Sequence, residues 1–216
     1  MSNQTFNFKQ LDKMPLTGLF IFMLTRNLRR SENISEDELE VVEYYYMARL
    51  GEIEKFIWIT IIFTFISSSY LPIFFATALA LLSIRIPSGG FHSSSTWGCF
   101  AWTLSGFLLT ILILPSLSVN IFAILIIAAF SIIICYIASP IRSAEREAFI
   151  DKSKDKKLKY FATIMTILWF IVIFTLNNPF TTTIMWIIFL QNVQLLIEYY
   201  KRKLQTKGRD SCPTEY

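Results

Sequence analysis

One segment combines residue types that do chemistry together: Arg85-Ile86-Pro87-Ser88-Gly89-Gly90-Phe91-His92-Ser93-Ser94-Ser95-Thr96-Trp97-Gly98-Cys99. It holds the single histidine of the chain and one of its three cysteines, seven positions apart. A free thiol, with an ordinary pKa of about 8.5, is only a few per cent thiolate at neutral pH. An imidazole titrating near about 6.5 can take that proton and leave an ion pair whose sulfur is a strong nucleophile. His92 and Cys99 are therefore the candidate catalytic pair. Gly89 and Gly90 let backbone N–H groups approach a substrate closely, as an oxyanion hole requires. Arg85 can bind a substrate carboxylate or orient the loop.

The spacing demands a bend. On one straight helix, residues seven apart share a face but stand ~10 Å apart along the axis, whereas proton transfer needs about 2.6–3.2 Å or one bridging water. Pro87, Gly89 and Gly90 can break the preceding helix, and Ser93–Thr96 can form an irregular loop or N-cap before Trp97. Cys99 is then expected in the first turn of the next helix, where the positive end of the dipole favours its thiolate.

Each of these residues also has a plainer reading. A solitary loop histidine is usually just hydrogen-bonded, a cysteine in an apolar span usually packs, as expected of Cys135, and Gly-Gly after Pro is usually a turn. Arg85 suits a snorkelling anchor at a span end equally well. A zinc site is not expected, because one His and one nearby Cys fall short of the three or four ligands such sites use. No other metal and no cofactor is expected either.

The surrounding elements must be membrane helices. Of the 216 residues 54% are apolar and only 17% charged, with a mean hydropathy of +0.49. No acidic residue occurs between Glu54 and Glu145, and Arg85 and Arg142 are the only basic residues there after Lys55. Folded as a water-soluble domain, that stretch would expose large apolar patches. Nucleic-acid binding is excluded as a main function, because the net charge of +4 sits at membrane flanks rather than on one basic face. The cysteines are few, dispersed and odd in number, so no disulfide framework is expected.

The expected fold is all-α and polytopic, with about six transmembrane helices and both termini cytoplasmic. Residues 1–55 are read as cytoplasmic or interfacial amphipathic helices. The first, Met14–Leu24, is too short to cross a hydrocarbon core that needs about 20 residues. The second, Glu36 to about Lys55, follows the capping-box pattern Ser35-Glu36-Asp37-Glu38 and repeats Leu39, Val42, Tyr46 and Ile53 near helical spacing. Residues 56–197 form the transmembrane domain carrying the loop 85–99, and 198–216 a cytoplasmic polar tail. The apolar blocks are Phe56–Ile84, Trp97–Leu114, Val119–Ala138, Tyr160–Leu176 and Phe180–Ile197. The first is either one long helix or a hairpin turning at Ser67–Pro72.

Lysine and arginine decide the orientation. Seven lie in residues 1–55, one in 85–96, seven in 139–159 and five in 198–216, with none in the turns 115–118 and 177–179. The positive-inside rule places the charged segments, and 85–96 with them, in the cytoplasm. Residues 56–84 then cross twice.

Arg85, Gly90, His92 and Cys99 form the pattern Arg-x4-Gly-x-His-x6-Cys at the cytoplasmic side of a six-span chain. This pattern resembles the accessory gene regulator B (AgrB) family of Gram-positive membrane cysteine endopeptidases in peptide quorum sensing. The likeness covers most of the chain, from the amphipathic N-terminal region to the basic loop after the fourth span. Ser93 departs from the small Ala often found after the histidine. The resemblance implies that His92 and Cys99 are catalytic and that the substrate is a short ribosomal propeptide with an acidic C-terminal tail. It further implies an acyl-enzyme on Cys99, closure of a thiolactone or lactone, a location in the plasma membrane, and a homodimer. Lys152–Lys159 can attract the acidic tail, although such basic runs mostly face lipid headgroups. The competing reading is a small membrane transporter or a non-catalytic accessory subunit, with Ser67–Pro72 as a helix break. Nearly charge-free spans weigh against ion coupling.

Overall fold

The computed structural model describes residues 15–28, 36–90, 95–117, 119–141, 155–176 and 178–210. All extended regular structure among them is helical: α1 (Pro15–Leu28), α2 (Glu36–Ile66), α3 (Leu71–Ser88), α4 (Thr96–Leu108), α5 (Ile121–Ala138), α6 (Asp155–Leu176) and α7 (Pro179–Asp210). A π-helical segment, Leu109–Ile113, and a tight 3-10 turn at Leu114–Ser116 prolong α4. The chain divides into two compact units, residues 1–68 with 93–104 and residues 69–92 with 105–216.

Among the described residues, five helical stretches are long and apolar enough to cross a membrane: Ser68–Ser88, Thr96–Ser116, Ile121–Ala138, Asp155–Leu176 and Phe180–Leu204. The apolar block 56–84 is two helices, because α2 ends at Ile66 and a 3-10 turn at Ser68–Tyr70 leads into α3, with Pro72 at its start. The remaining expected crossing falls on Phe56–Ile66, an apolar end too short to reach the length of the other five. It continues without a break from the charged part of α2.

In the first unit α1 lies against α2 and buries Thr17 and Ile21, one helical turn apart, while Leu16, Leu19, Phe20 and Met23 face outward. The buried side of α2 differs from the apolar repeat expected of it. Leu39 is buried, but Tyr46 and Ile53 are exposed, and Gly51, Glu54, Lys55, Ile59 and Phe63 point inward. Two ionised side chains take the place of apolar ones because each is matched by partners inside the fold.

The second unit is a helix cluster in which α6 and α7 pack on each other and both pack on α3 and α5. Small side chains make close approach possible: Ala128, Ser131, Cys135 and Ala138 form the buried stripe of α5, and Ala162 and Thr166 begin that of α6, which Phe170 and Ile173 continue. Cys135 is thus a packing residue. Hydroxyls satisfy themselves on the preceding turn, as Thr77 does on the Ile73 carbonyl at 2.6 Å and Thr166 on the Ala162 carbonyl at 2.9 Å. Trp169 Nε1 donates to Ser83 Oγ at 2.8 Å and ties α6 to α3. Phe122, Ile126 and Leu79 are 72%, 69% and 62% exposed, which marks the outer faces of the spans as lipid-facing.

Helix ends are closed locally. Asn120 accepts from the Ala123 N–H at 2.8 Å to cap α5. Asn178 and Thr181 exchange side-chain and backbone hydrogen bonds at 3.0 Å each, a reciprocal cap for α7. Lys159 Nζ stands 4.2 Å over the Tyr136 ring, joining the start of α6 to the end of α5. Residues 198–210 continue α7 as helix, aided by the Glu198–Arg202 pair. Of the sequence features noted above, Ser35, Arg142, the basic stretch up to Lys154 and Cys212 lie outside the described residues.

Candidate active site

Cys99 is the fourth residue of α4, within its first turn. Ser95 starts that turn: its hydroxyl accepts from the Gly98 N–H at 3.4 Å and its carbonyl from the Cys99 N–H at 3.0 Å. The Cys99 carbonyl accepts from Thr103 Oγ1 at 2.9 Å. With its backbone engaged on both sides, Cys99 is held at the positive end of the α4 dipole.

The thiol is 7% exposed, and its partner is a cation. Lys55 Nζ donates to Cys99 Sγ at 3.2 Å and to Glu52 Oε1 at 2.8 Å. Lys55 is itself only 6% exposed. Burial taken alone would favour the neutral amine, but the Glu52 carboxylate and the Cys99 sulfur outweigh it and raise Lys55 above the ordinary lysine value. At neutral pH the group beside the sulfur is therefore an ammonium.

The neighbouring residue on α2 braces this arrangement. Glu54 accepts from the N–H groups of Leu16 and Thr17 at 3.2 and 2.8 Å, from Thr17 Oγ1 at 2.6 Å and from Trp58 Nε1 at 3.3 Å. Leu16 and Thr17 belong to the first turn of α1, whose N–H groups have no intrahelical acceptor. A carboxylate supplied by α2 fills that place and complements the α1 dipole. Burial pushes the Glu54 carboxyl up, but the bonds from Thr17, Leu16 and Trp58 win and hold it below the usual range.

In the second unit, the residues that follow α3 are pinned from two sides. Arg85 lies in the last turn of α3, Pro87 is accommodated just inside its end, and Gly89 stops it with φ 75. The Gly89 N–H caps the helix on the Arg85 carbonyl at 2.9 Å. The Ile141 N–H donates to the Ser88 carbonyl at 2.8 Å, and Gln191 Nε2 to the Gly89 carbonyl at 3.0 Å. A Cβ on Gly89 would stand 1.7 Å from the Ile141 carbonyl oxygen, so only glycine fits there. A Cβ on Gly90 would meet Gln191 Nε2 at 3.1 Å and Arg85 Nε at 3.8 Å. The ends of α3 and α5 thus lie side by side, with α7 beneath them.

Arg85, Gly89 and Gly90 are brought together here, whereas Cys99 is described with Lys55 in the other unit. His92 lies outside the described residues. Because the Gly89 N–H is committed to the Arg85 carbonyl, the part that Gly89 visibly plays is to shape the loop.

Sequence reasoning passed over Gln191, Glu52, Glu54 and Lys55. A visible signal existed for the first, since Gln191-Asn192 interrupts an apolar span and intramembrane polar residues mark function by default. For the charges there was only their position at the head of the first apolar block.

Residues 22–195 match accessory gene regulator B. A protein named AgrB-like in Clostridium beijerinckii is 27% identical over 179 residues, which cover 81% of this chain and 82% of the relative. No solved structure matches the chain. A match over most of its length, on a helical membrane fold with Cys99 at the head of α4, makes the chain a member of the accessory gene regulator B family, a family of autoinducer-peptide processing.

Proposed function

We propose that this protein is a membrane cysteine endopeptidase that removes the C-terminal tail of an autoinducer propeptide and supports closure of the remainder into a thiolactone or lactone. The observation that carries this reading is the setting of Cys99, a buried thiol in the first turn of a membrane helix, in a chain that matches the family across that region. In this mechanism Cys99 Sγ attacks the carbonyl carbon before the tail, the new C–S bond forms and the C–N bond breaks. His92 takes the thiol proton and returns it to the departing amine. A Cys thiol or Ser hydroxyl inside the propeptide then attacks the thioester carbonyl, gives up its proton to His92, and restores the free Cys99. A thioester survives until cyclisation only where water is scarce, and a site at a membrane boundary favours that.

The active face is assigned to the cytoplasm of a Gram-positive cell membrane. With α2 counted as a crossing, the chain crosses six times, and the ends of α3 and α5 share a side with the basic start of α6 and the basic end of α7. The positive-inside rule makes that side cytoplasmic. Arg85 is the candidate contact for the acidic tail. A homodimer, with the propeptide and the bilayer as its partners, completes the reading.

The test is mass spectrometry of a propeptide incubated with the reconstituted protein. Loss of the tail and an acyl adduct on Cys99 are expected. Unchanged processing by a Cys99→Ala variant ends the proposal.

A further inference from the structure

A lysine ammonium in contact with a buried thiol is not explained by packing. Taking such a cation out of water costs several kcal/mol, which close opposite charges must offset. Among the described residues, Lys55 pairs with the partly exposed Glu52 carboxylate at 2.8 Å and also contacts Cys99 Sγ at 3.2 Å. A neutral thiol is a weak acceptor, whereas a thiolate accepts a charge-assisted hydrogen bond. The contact therefore gains most when the sulfur is negative.

We infer that Lys55, which bridges Glu52 and the Cys99 sulfur, is a catalytic cation that stabilises that sulfur whenever it carries negative charge. The inference rests on the reading of Cys99 as the nucleophile. It assigns Lys55 two moments in the reaction. Before attack, the thiol proton has left to His92 and the electron pair on Sγ is balanced by the ammonium. During release, the nucleophile of the propeptide forms its bond to the acyl carbon, the C–S bond breaks, and the electron pair returns to Sγ beside the same ammonium. Lys55 keeps its own protons throughout. A lone histidine is then free to move protons, because the standing charge beside the sulfur comes from a second residue.

The position in the chain fits this task. Lys55 is the last charged residue before the apolar end of α2, so its side chain reaches Cys99 without placing a charge inside a span. Glu54 next to it fastens α1 onto α2 and stiffens the segment that carries the cation.

The experiment measures alkylation of Cys99 by iodoacetamide, which reacts with the thiolate, in full-length protein in detergent with Cys135→Ala and Cys212→Ser as background. Lys55→Met keeps the length and loses the charge; alkylation should slow by about tenfold or more. Lys55→Arg keeps the charge in a bulkier group and should stay within about threefold of the parent. A purely steric role predicts the reverse order, since arginine disturbs the packing more than methionine. Glu52→Gln tests the same idea without touching the cation, which then relies on the sulfur alone; alkylation should hold or rise. Parental reactivity of Lys55→Met, Arg and Met equally slow, or a fall in Glu52→Gln would each overturn the inference. None of these outcomes bears on the peptidase reading, which fails instead if Cys99→Ala still processes a propeptide.

Discussion

The two units of this protein bury polar groups in opposite ways. The first, built on α1, α2 and the start of α4, buries ions: Glu54 under the first turn of α1, and Lys55 between Glu52 and the Cys99 sulfur. The second, built on α3, α5, α6 and α7, buries neutral groups: threonines bonded to their own helices, Trp169 on Ser83, and Gln191 on the Gly89 carbonyl. The difference follows the membrane. A charge at the bilayer centre is far more costly than a hydroxyl or an amide that closes on itself. Charges therefore collect at the head of the first apolar block, and the spans hold shape with neutral hydrogen bonds. The first unit holds the Cys99 thiol and the second the glycines that end α3.

That contrast can be broken at graded cost. The largest effects are expected at the proposed nucleophile and base: Cys99→Ala and His92→Ala should each lower propeptide cleavage by about a thousandfold or more, read by mass spectrometry of the tail, with membrane insertion unchanged. Next comes Gly89→Ala, which drives a methyl group into the Ile141 carbonyl. It should cost on the order of 3 kcal/mol, visible as a lowered melting temperature in detergent, and cleavage should fall with it. A melting temperature like that of the parent would show that the loop can relax and that the pin is loose.

Gln191→Leu leaves the Gly89 carbonyl without its amide donor and should cost about 1–2 kcal/mol. Faster amide hydrogen exchange confined to the residues after α3 would sharpen the contrast; unchanged exchange would show that Ile141 alone suffices. Glu54→Gln should loosen α1 by about 1 kcal/mol at neutral pH. The sign of its pH dependence is set by the lowered carboxyl. In the parent, this stabilisation is present above the ordinary glutamate range and is lost as the pH falls through the lower folded value, whereas the glutamine variant should be flat there. Limited proteolysis of α1 against pH reads both. The smallest effect is expected of Trp169→Phe, about 0.6 kcal/mol for one interhelical bond in a membrane, measured as a slight shift in melting temperature.

The spans from Trp97 onward were legible because each is a long apolar block bounded by turn residues, and hydrocarbon leaves a backbone no option but to bond within a helix. The place of Cys99 in the first turn of α4 was legible for a similar reason, since Ser95 and Thr96 begin a helix directly before it. The inward face of α2 was not. Its apolar repeat pointed to Ile53, yet Glu54 and Lys55 are buried and Ile53 is exposed. Hydrophobic spacing assumes that charges turn outward, and that assumption fails where the fold supplies partners: Leu16 and Thr17 for Glu54, Glu52 and Cys99 for Lys55. Gln191 is 102 positions from Gly89, and no local pattern encodes that bond.

Sequence alone, through hydropathy, basic flanks and the motif from Arg85 to Cys99, determined that this is a helical membrane protein of the accessory gene regulator B kind and pointed to Cys99 as the proposed nucleophile. Those features are local, and each acts on the few residues around it. Only the tertiary structure decided that an ammonium from α2 lies against the sulfur and that a glutamine from α7 and the Ile141 backbone N–H, just past α5, shape the turn at Ser88–Gly90. Such contacts join residues tens of positions apart, and they exist only once packing brings their helices within hydrogen-bond reach.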